Sequence, residues 1–211
     1  GKTIGVQVSV YKGGEEETGY IDSDSEYFNL INIARIKDVS TKDEYDTDLY
    51  SDDMDYNLVE IIEAELNNYK KSFALYDFTD MIEKFLGSEL CPKFDVVFID
   101  EAQDLSLMQW DMAKTIWNKT TDSFIAGDDD QAIYKWAGAD VDSFIALEGQ
   151  YLPLTQSFRI PAKVHGVAMG IINRIRNRID KTWQPKTVQG SLHRHYGADT
   201  IDMSSGEWLV L

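Results

Sequence analysis

Cysteine is nearly absent: Cys91 is the one example in 211 residues, beside three scattered histidines. No internal disulfide framework can form, a reducing cytoplasm suits such a chain, and a zinc site built from thiolate and imidazole ligands is not expected. Long apolar runs are absent too. None approaches the roughly 18 residues needed to span a bilayer, so no membrane partner is expected. The opening GKTIGVQVSVYKGGEEE has no basic region followed by an apolar one, so it is not read as a signal peptide. It does not start on methionine, and we expect a piece of something longer. There are no internal repeats.

Positive charge is the other scarcity, with 20 Lys and Arg against 37 Asp and Glu, a net −17. Residues 1–106 hold 25 acidic and 9 basic residues, and residues 107–211 hold 12 and 11. The sign reverses over Gln156–Lys186, where Arg159, Lys163, Arg174, Arg176, Arg178, Lys181 and Lys186 face only Asp180. Overall acidity argues against a nonspecific nucleic-acid coat. The basic stretch reads either as a solvated face or as a place to meet phosphates.

The hydrophobic fraction of 43% is that of an ordinary globular protein. Residues 1–12 read as a short strand and 13–17 as a turn. The stretch VSTKDEYDTDLYSDDMD has no sustained apolar period and reads as a loop or mobile surface. Its surroundings, Asp38 to Glu65, carry eleven acidic residues and Lys42 alone among basic ones. YNLVEIIEAELNNY, from Tyr56, has the apolar spacing of an amphipathic helix. A second helix starts near Asp77, which can cap DFTDMIEKFL, and ends at Gly87–Ser88. After Pro92 strands and helices alternate: a strand at 94–99 expected to be buried on both faces, a helix over 106–117, a strand at 123–126, a short helix near 140–147, a strand at 151–155, and a long helix from Pro161 to Ile179. That alternation predicts an α/β fold with a parallel sheet. The ending EWLVL reads as one further strand.

Three strings carry chemistry. In FDVVFIDEAQD the pair Asp100–Glu101 stands at the end of an apolar strand, where open α/β sheets bind ligands. Asp100 is a hard oxygen donor suited to Mg²⁺, and Glu101 can orient or deprotonate a water. The plainer reading is a strand meeting solvent. In FIAGDDDQAIYKWAGAD a second apolar strand runs into a polar tip. The Gln131 amide can sense a terminal phosphate there, and Tyr134 and Trp136 offer flat faces on which bases stack, unless they are core residues. In LTQSFRIPAKV, Arg159 follows a strand as an arginine finger would, with Phe158 beside it to cover a base.

In this order and at these separations, the strings resemble the UvrD/Rep-like branch of superfamily 1 DNA helicases. IDEAQD looks like that family's Walker B box, GDDDQAIYKWAGAD like its motif III and QSFR like its motif IV. DFTDM also resembles a segment of the family, and the GDDDQ form looks most like small phage-type members. The likeness covers about residues 77–183. It implies an incomplete RecA-like P-loop NTPase lobe with a parallel sheet, preceded by a mainly helical acidic insertion. The implied divisions are 1–90 for the insertion, 91–180 for the back part of the first motor lobe and 181–211 for the start of a second.

The resemblance also implies roles. Asp100 would hold Mg²⁺ and Glu101 activate the hydrolytic water. Gln103 and Gln131 would couple the nucleotide state to the DNA site. Tyr134 and Trp136 would line the single-strand path, with Trp136 ahead as the stacking platform. Phe158 would pack on the adenine of ATP, and Arg159 would contact the γ-phosphate. The implied partners are single-stranded DNA, ATP and the remainder of the same motor, in the cytoplasm of a cell or of a phage's host.

A Walker A loop, G-x-x-x-x-G-K-[ST], is not found in the 211 residues. Gly1–Lys2–Thr3 echoes its end, but the alternating IGVQVSVYKGG that follows reads as a strand and not as the helix such a loop must open. We therefore expect the chain by itself to hydrolyse ATP poorly or not at all, and the Walker B strand to lack a neighbour and expose an edge. Other classes stay open: an acidic interaction module or decayed helicase remnant, the motor part of a helicase–nuclease, and an ATPase of the same fold without DNA function.

Overall fold

The computed structural model describes residues 6–12, 15–21, 25–47, 49–50, 54–197, 201–202 and 204. The readings of Gly1–Lys2–Thr3 and of EWLVL lie outside them. The chain divides into two compact units, Gly1–Leu147 and Glu148–Leu211.

The first unit opens with the antiparallel hairpin β1 (Val6–Lys12) and β2 (Glu15–Ile21), in register from Val6↔Ile21 to Lys12↔Glu15. Glu15–Glu17 thus belong to a strand and not to the expected turn. Four helices follow: α1 (Glu26–Ile36), α2 (Thr41–Tyr45), α3 (Tyr56–Phe73) and α4 (Phe78–Leu86). α1 has no counterpart in the sequence reading, although Leu30, Ile31, Ile33 and Ala34 are spaced to bury one face, and do. α2 corrects the loop reading over residues 41–45. Ser40 caps α2 by accepting from the Asp43 N–H, and Thr41, Glu44 and Met54 are buried. No apolar period is needed there, because α2 buries polar groups against partners: Lys37 donates to both Glu44 carboxylate oxygens at 3.0 and 2.9 Å, and the Tyr50 phenol donates to Glu44 at 2.9 Å.

Leu30, Ile31, Met54 and Val59 form the helical core, with Tyr27, Tyr45, Tyr50, Tyr56 and Ile62 packed around it. α4 starts as its sequence implies. Asp77 and Asp80 form a reciprocal capping box, and Gly87 is the C-cap. The same two carboxylates tie the helices together, since Asp77 and Asp80 each accept from Arg35 of α1 and Lys70 of α3 at 2.6–3.0 Å.

Beyond α4 come β3 (Val96–Ile99), α5 (Leu107–Trp117), β4 (Asp122–Ile125) and the short α6 (Val141–Ile145). β3 and β4 pair in parallel, Val96↔Asp122 through Ile99↔Ile125. β3 is not buried on both faces as expected: Val96 and Phe98 are exposed, and the Phe98 ring, 76% exposed, stacks on Phe124 at 5.0 Å. Among the described residues its one strand neighbour is β4. Trp110 anchors α5. It is fully buried, and its indole N–H donates to the Asp140 carbonyl at 3.0 Å.

In the second unit β5 (Gln156–Pro161) pairs in parallel with β6 (Gln184–Lys186), and α7 (Ala162–Ile172) follows β5. The strand falls on QSFRIP, not on 151–155, because the Thr155 carbonyl and the segment after it bond to the chain around Gln184. α7 stops at Ile172 instead of Ile179. Asn173 caps it, and residues 173–179 lie in turns and irregular backbone. Parallel pairs between helices give the chain α/β character. Among the described residues no helix is long and apolar enough to cross a membrane.

Candidate functional site

Parallel pairing of β3 with β4 brings the tips of two strands side by side. The Ala126 N–H donates to the Ile99 carbonyl at 2.8 Å, and the Ala102 N–H donates back to the Ala126 carbonyl at 2.9 Å. Asp100–Glu101 and Gly127–Asp128 therefore leave the sheet together at its carboxyl edge, the place where such sheets present ligands.

Glu101 turns the chain in a left-handed conformation, φ 50° and ψ 41°. That conformation costs a residue with a Cβ about 1–2 kcal/mol. It releases the backbone into the short 3-10 turn Ala102–Asp104 and leaves both Asp100 and Glu101 exposed. The Asp100 carboxylate accepts the Glu101 N–H at 3.0 Å.

Gln103 joins the two tips. Only 2% exposed, it donates from Nε2 to Glu101 Oε2 at 2.9 Å, and its Oε1 accepts the Asp128 N–H at 2.9 Å. Gly127 makes room for this. A Cβ there would lie 2.7 Å from Gln103 Oε1 and 2.9 Å from the Phe144 ring. Asp128 caps the turn Asp129–Gln131, and its Oδ2 accepts the Gln131 side-chain amide at 2.6 Å. One chain of hydrogen bonds thus runs from Glu101 through Gln103 and the Asp128 backbone to Gln131.

Oxygen donors at these tips suit a hard cation. Among the described residues no group of three or more His, Cys, Asp or Glu could hold a metal on its own. Mg²⁺ does not ask for that: it is bound by one or two carboxylates together with substrate phosphate oxygens and its own waters. An exposed Asp100 fits such a shared site.

Tyr134 and Trp136 are 46% and 63% exposed, so neither is a core residue. They border different spaces. Tyr134 lines a 280 Å³ cavity with Phe78 and Asp104, and Trp136 lines a 420 Å³ groove with Lys135 and Leu107. Phe158 and Arg159 belong to the second unit, on β5. Phe158 is 84% exposed, and the Ser157 hydroxyl accepts the N–H groups of Arg159 and Ile160 at 3.3 and 3.1 Å. Sequence reasoning missed Asp128, whose backbone and carboxylate link Gln103 to Gln131. Its place in the GDDDQ string was the available signal. It also missed Gly127, whose lack of a side chain the buried Gln103 requires.

Residues 15–152, well over half of the chain, match the family model described as UvrD/REP helicase N-terminal domain. Among curated proteins, the chain is 28% identical over 121 residues to the ATP-dependent DNA helicase Rep of Buchnera aphidicola subsp. Baizongia pistaciae, covering 51% of this chain and 18% of that protein. It is 28% identical over 123 residues to the ATP-dependent DNA helicase PcrA of Bacillus subtilis, covering 56% and 16%. It is 28% identical over 169 residues to a probable DNA helicase II homolog of Rickettsia conorii, covering 72% and 25%. The chain spans a quarter or less of the length of these relatives.

Proposed function

The chain belongs to the UvrD/REP helicase N-terminal domain family, and from that premise we propose that it is part of an ATP-dependent DNA helicase that translocates on single-stranded DNA. The observation that carries the reading is the hydrogen-bonded link from Glu101 through Gln103 to Asp128 and Gln131. It gives a nucleotide-sensing edge a rigid connection to the loop that bears Trp136.

In this reading residues 91–180 are the back part of a RecA-like first motor lobe, 1–90 an accessory, mainly helical acidic insertion, and 181–211 the start of the second lobe. Asp100 would hold Mg²⁺, which supplies charge neutralisation between the phosphates of ATP. Glu101 takes a proton from the attacking water, its carboxylate aimed by the Gln103 amide. Gln131 reads the terminal phosphate and is held for it by Asp128. Arg159 supplies positive charge at the γ-phosphate and Phe158 covers the adenine. Trp136 stacks a base of the strand, with Tyr134 beside the path. The remainder of the same motor is the partner that completes the cycle.

Two assays on the 211-residue chain test this. Single-strand binding, followed by fluorescence anisotropy of a labelled oligothymidylate, should weaken about tenfold in Trp136→Ala, within the worth of one stacked base. An unchanged affinity refutes the DNA part of the proposal. ATP turnover should be at background, because no Walker A loop is among the 211 residues. Mg²⁺-dependent hydrolysis that Glu101→Gln abolishes would overturn that expectation while supporting the role of Glu101.

A further inference from the structure

The end of α1, the first half of α4, the start of α5 and the turn bearing Tyr134 line a 280 Å³ cavity within the first unit. Ile36 and Ile82 give it apolar walls, Phe78 and Tyr134 aromatic ones, and Asp104 and Gln109 bring polar groups. Its size falls just under the range of drug-sized ligand sites, about 300–1,000 Å³, and suits a group no larger than one side chain.

Asp104 is the exception among those polar groups. Its backbone is fixed by the 3-10 turn: its N–H donates to the Glu101 carbonyl at 3.0 Å, and the Leu105 N–H donates to the Ala102 carbonyl at 3.2 Å. Its carboxylate Oδ1 is buried and meets no donor among the described residues. The polar side chains around it are engaged elsewhere. The Thr79 hydroxyl donates to Asn32 Oδ1 at 3.2 Å, and Ser106 and Gln109 are taken up in a reciprocal capping box. The cations of the neighbouring helices are committed too, since Arg35 and Lys70 hold Asp77 and Asp80. A buried acceptor without a donor forfeits its hydration, so a ligand that supplies an N–H there regains that loss.

The walls decide which donor fits. An ammonium is compact and strongly hydrated, and it would shed its water against isoleucine and phenylalanine. A guanidinium is planar, more weakly hydrated, carries five N–H donors and stacks on aromatic faces. Its methylene stem suits apolar surface such as that of Ile36 and Ile82. Phe78, 83% exposed, and Tyr134, 46% exposed, present ring surface in the same cavity. The balance of 25 acidic to 9 basic residues over 1–106 attracts a cation to this part of the chain.

We propose that this cavity is a guanidinium site, in which the planar end of an alkylguanidinium, the chemistry of an arginine side chain, donates to Asp104 Oδ1 and lies against Phe78 and Tyr134. It does not rest on the single-strand reading, with which it shares Tyr134 alone.

The test titrates the isotope-labelled 211-residue chain with butylguanidinium, and with butylurea as a neutral planar group of the same shape, and follows backbone amide shifts by NMR. Butylguanidinium should give saturable shifts at residues 78–82, 104–109 and 134–139. Its methylenes should show Overhauser contacts to the Ile36 and Ile82 methyl groups, a readout in unaltered protein that does not depend on a variant folding. Butylurea should bind about tenfold more weakly, the margin of a charge-assisted over a neutral hydrogen bond. Asp104→Asn keeps the shape and should erase that preference, so that both compounds bind alike. A blocked tripeptide with a central arginine separates the sources. Binding at least as tight as that of butylguanidinium supports an arginine presented by a polypeptide, and exclusion of the peptide supports a free small guanidinium. Equal affinity for the two butyl compounds, a preference that survives in Asp104→Asn, or non-saturating shifts scattered over the acidic surface would overturn the proposal and leave Asp104 Oδ1 to water.

Discussion

Glu101 and Gln103 show what individual residues do at the strand tips. A non-glycine residue in the left-handed region persists when its surroundings hold it there, and such positions collect at functional sites. Here the hold comes from the Asp100 carboxylate on the Glu101 N–H and from the Gln103 amide on its side chain. Gln103 has a second duty on its other side, accepting the Asp128 N–H. Gln103→Leu keeps roughly the same bulk but removes both bonds and leaves that N–H without its partner. We expect a loss of about 1–3 kcal/mol in chemical denaturation, with Gln131 and the Asp128 turn losing amide protection first. Gln103→Glu should also destabilise, since a carboxylate would face Glu101 and present no donor.

At the scale of elements, α4 depends on its first turn for more than capping. Burial alone would push the Asp80 carboxyl up. The hydrogen bond from Lys70, the Asp77 backbone N–H and the charges of Arg35 and Lys70 outweigh burial and hold it at about 2. Because the folded value lies below the ordinary value of 3.8, the stabilisation is fully present above about pH 5. It is lost as the pH falls through about 2. Wild type and Asp80→Asn should therefore differ in stability by a constant amount above pH 5. The gap should shrink below about pH 4 and close only below about pH 2, as read from urea midpoints at each pH. A gap independent of pH would mean that Asp80 acts through shape and capping rather than charge. α3, α4 and α5 start close to where their sequences place them because Asp55, Asp77 and Ser106 cap them through bonds that reach only two or three residues along the chain. The strand at 151–155 and the last two turns of α7 went astray for the opposite reason. Apolar content suggested them, but pairing with residues around Gln184 and the cap at Asn173 decided the matter.

Across the whole molecule, burial is uneven. Every fully buried apolar side chain among the described residues, from Leu30 to Phe144, lies in the first unit. In the second unit Leu154 is 93% and Tyr196 98% exposed. Hydrophobic burial is the dominant favourable term in folding, so the two units should differ in local stability. Hydrogen exchange followed by mass spectrometry should show β5 and α7 exchanging well before α1 and α3. Equal protection in both units would contradict this. The exposed Phe98–Phe124 pair, and the edge of β3 that has no strand partner among the described residues, belong to the same pattern on the first unit's small sheet.

The sequence by itself determined the starts of α3, α4 and α5, the presence of apolar strands ending in carboxylates, and the family resemblance of IDEAQD and GDDDQAIYKWAGAD. All of these are written in residues close together along the chain. Tertiary structure alone decided that Gln103 is buried between Glu101 and Asp128, that Glu44 in an acidic stretch is buried on Lys37 and Tyr50, and that Lys37 and Leu49 share a groove with Trp136. The physical reason is range. A cap or an apolar stripe is satisfied within one or two turns, whereas a buried polar group needs partners that only the packing of distant segments can supply.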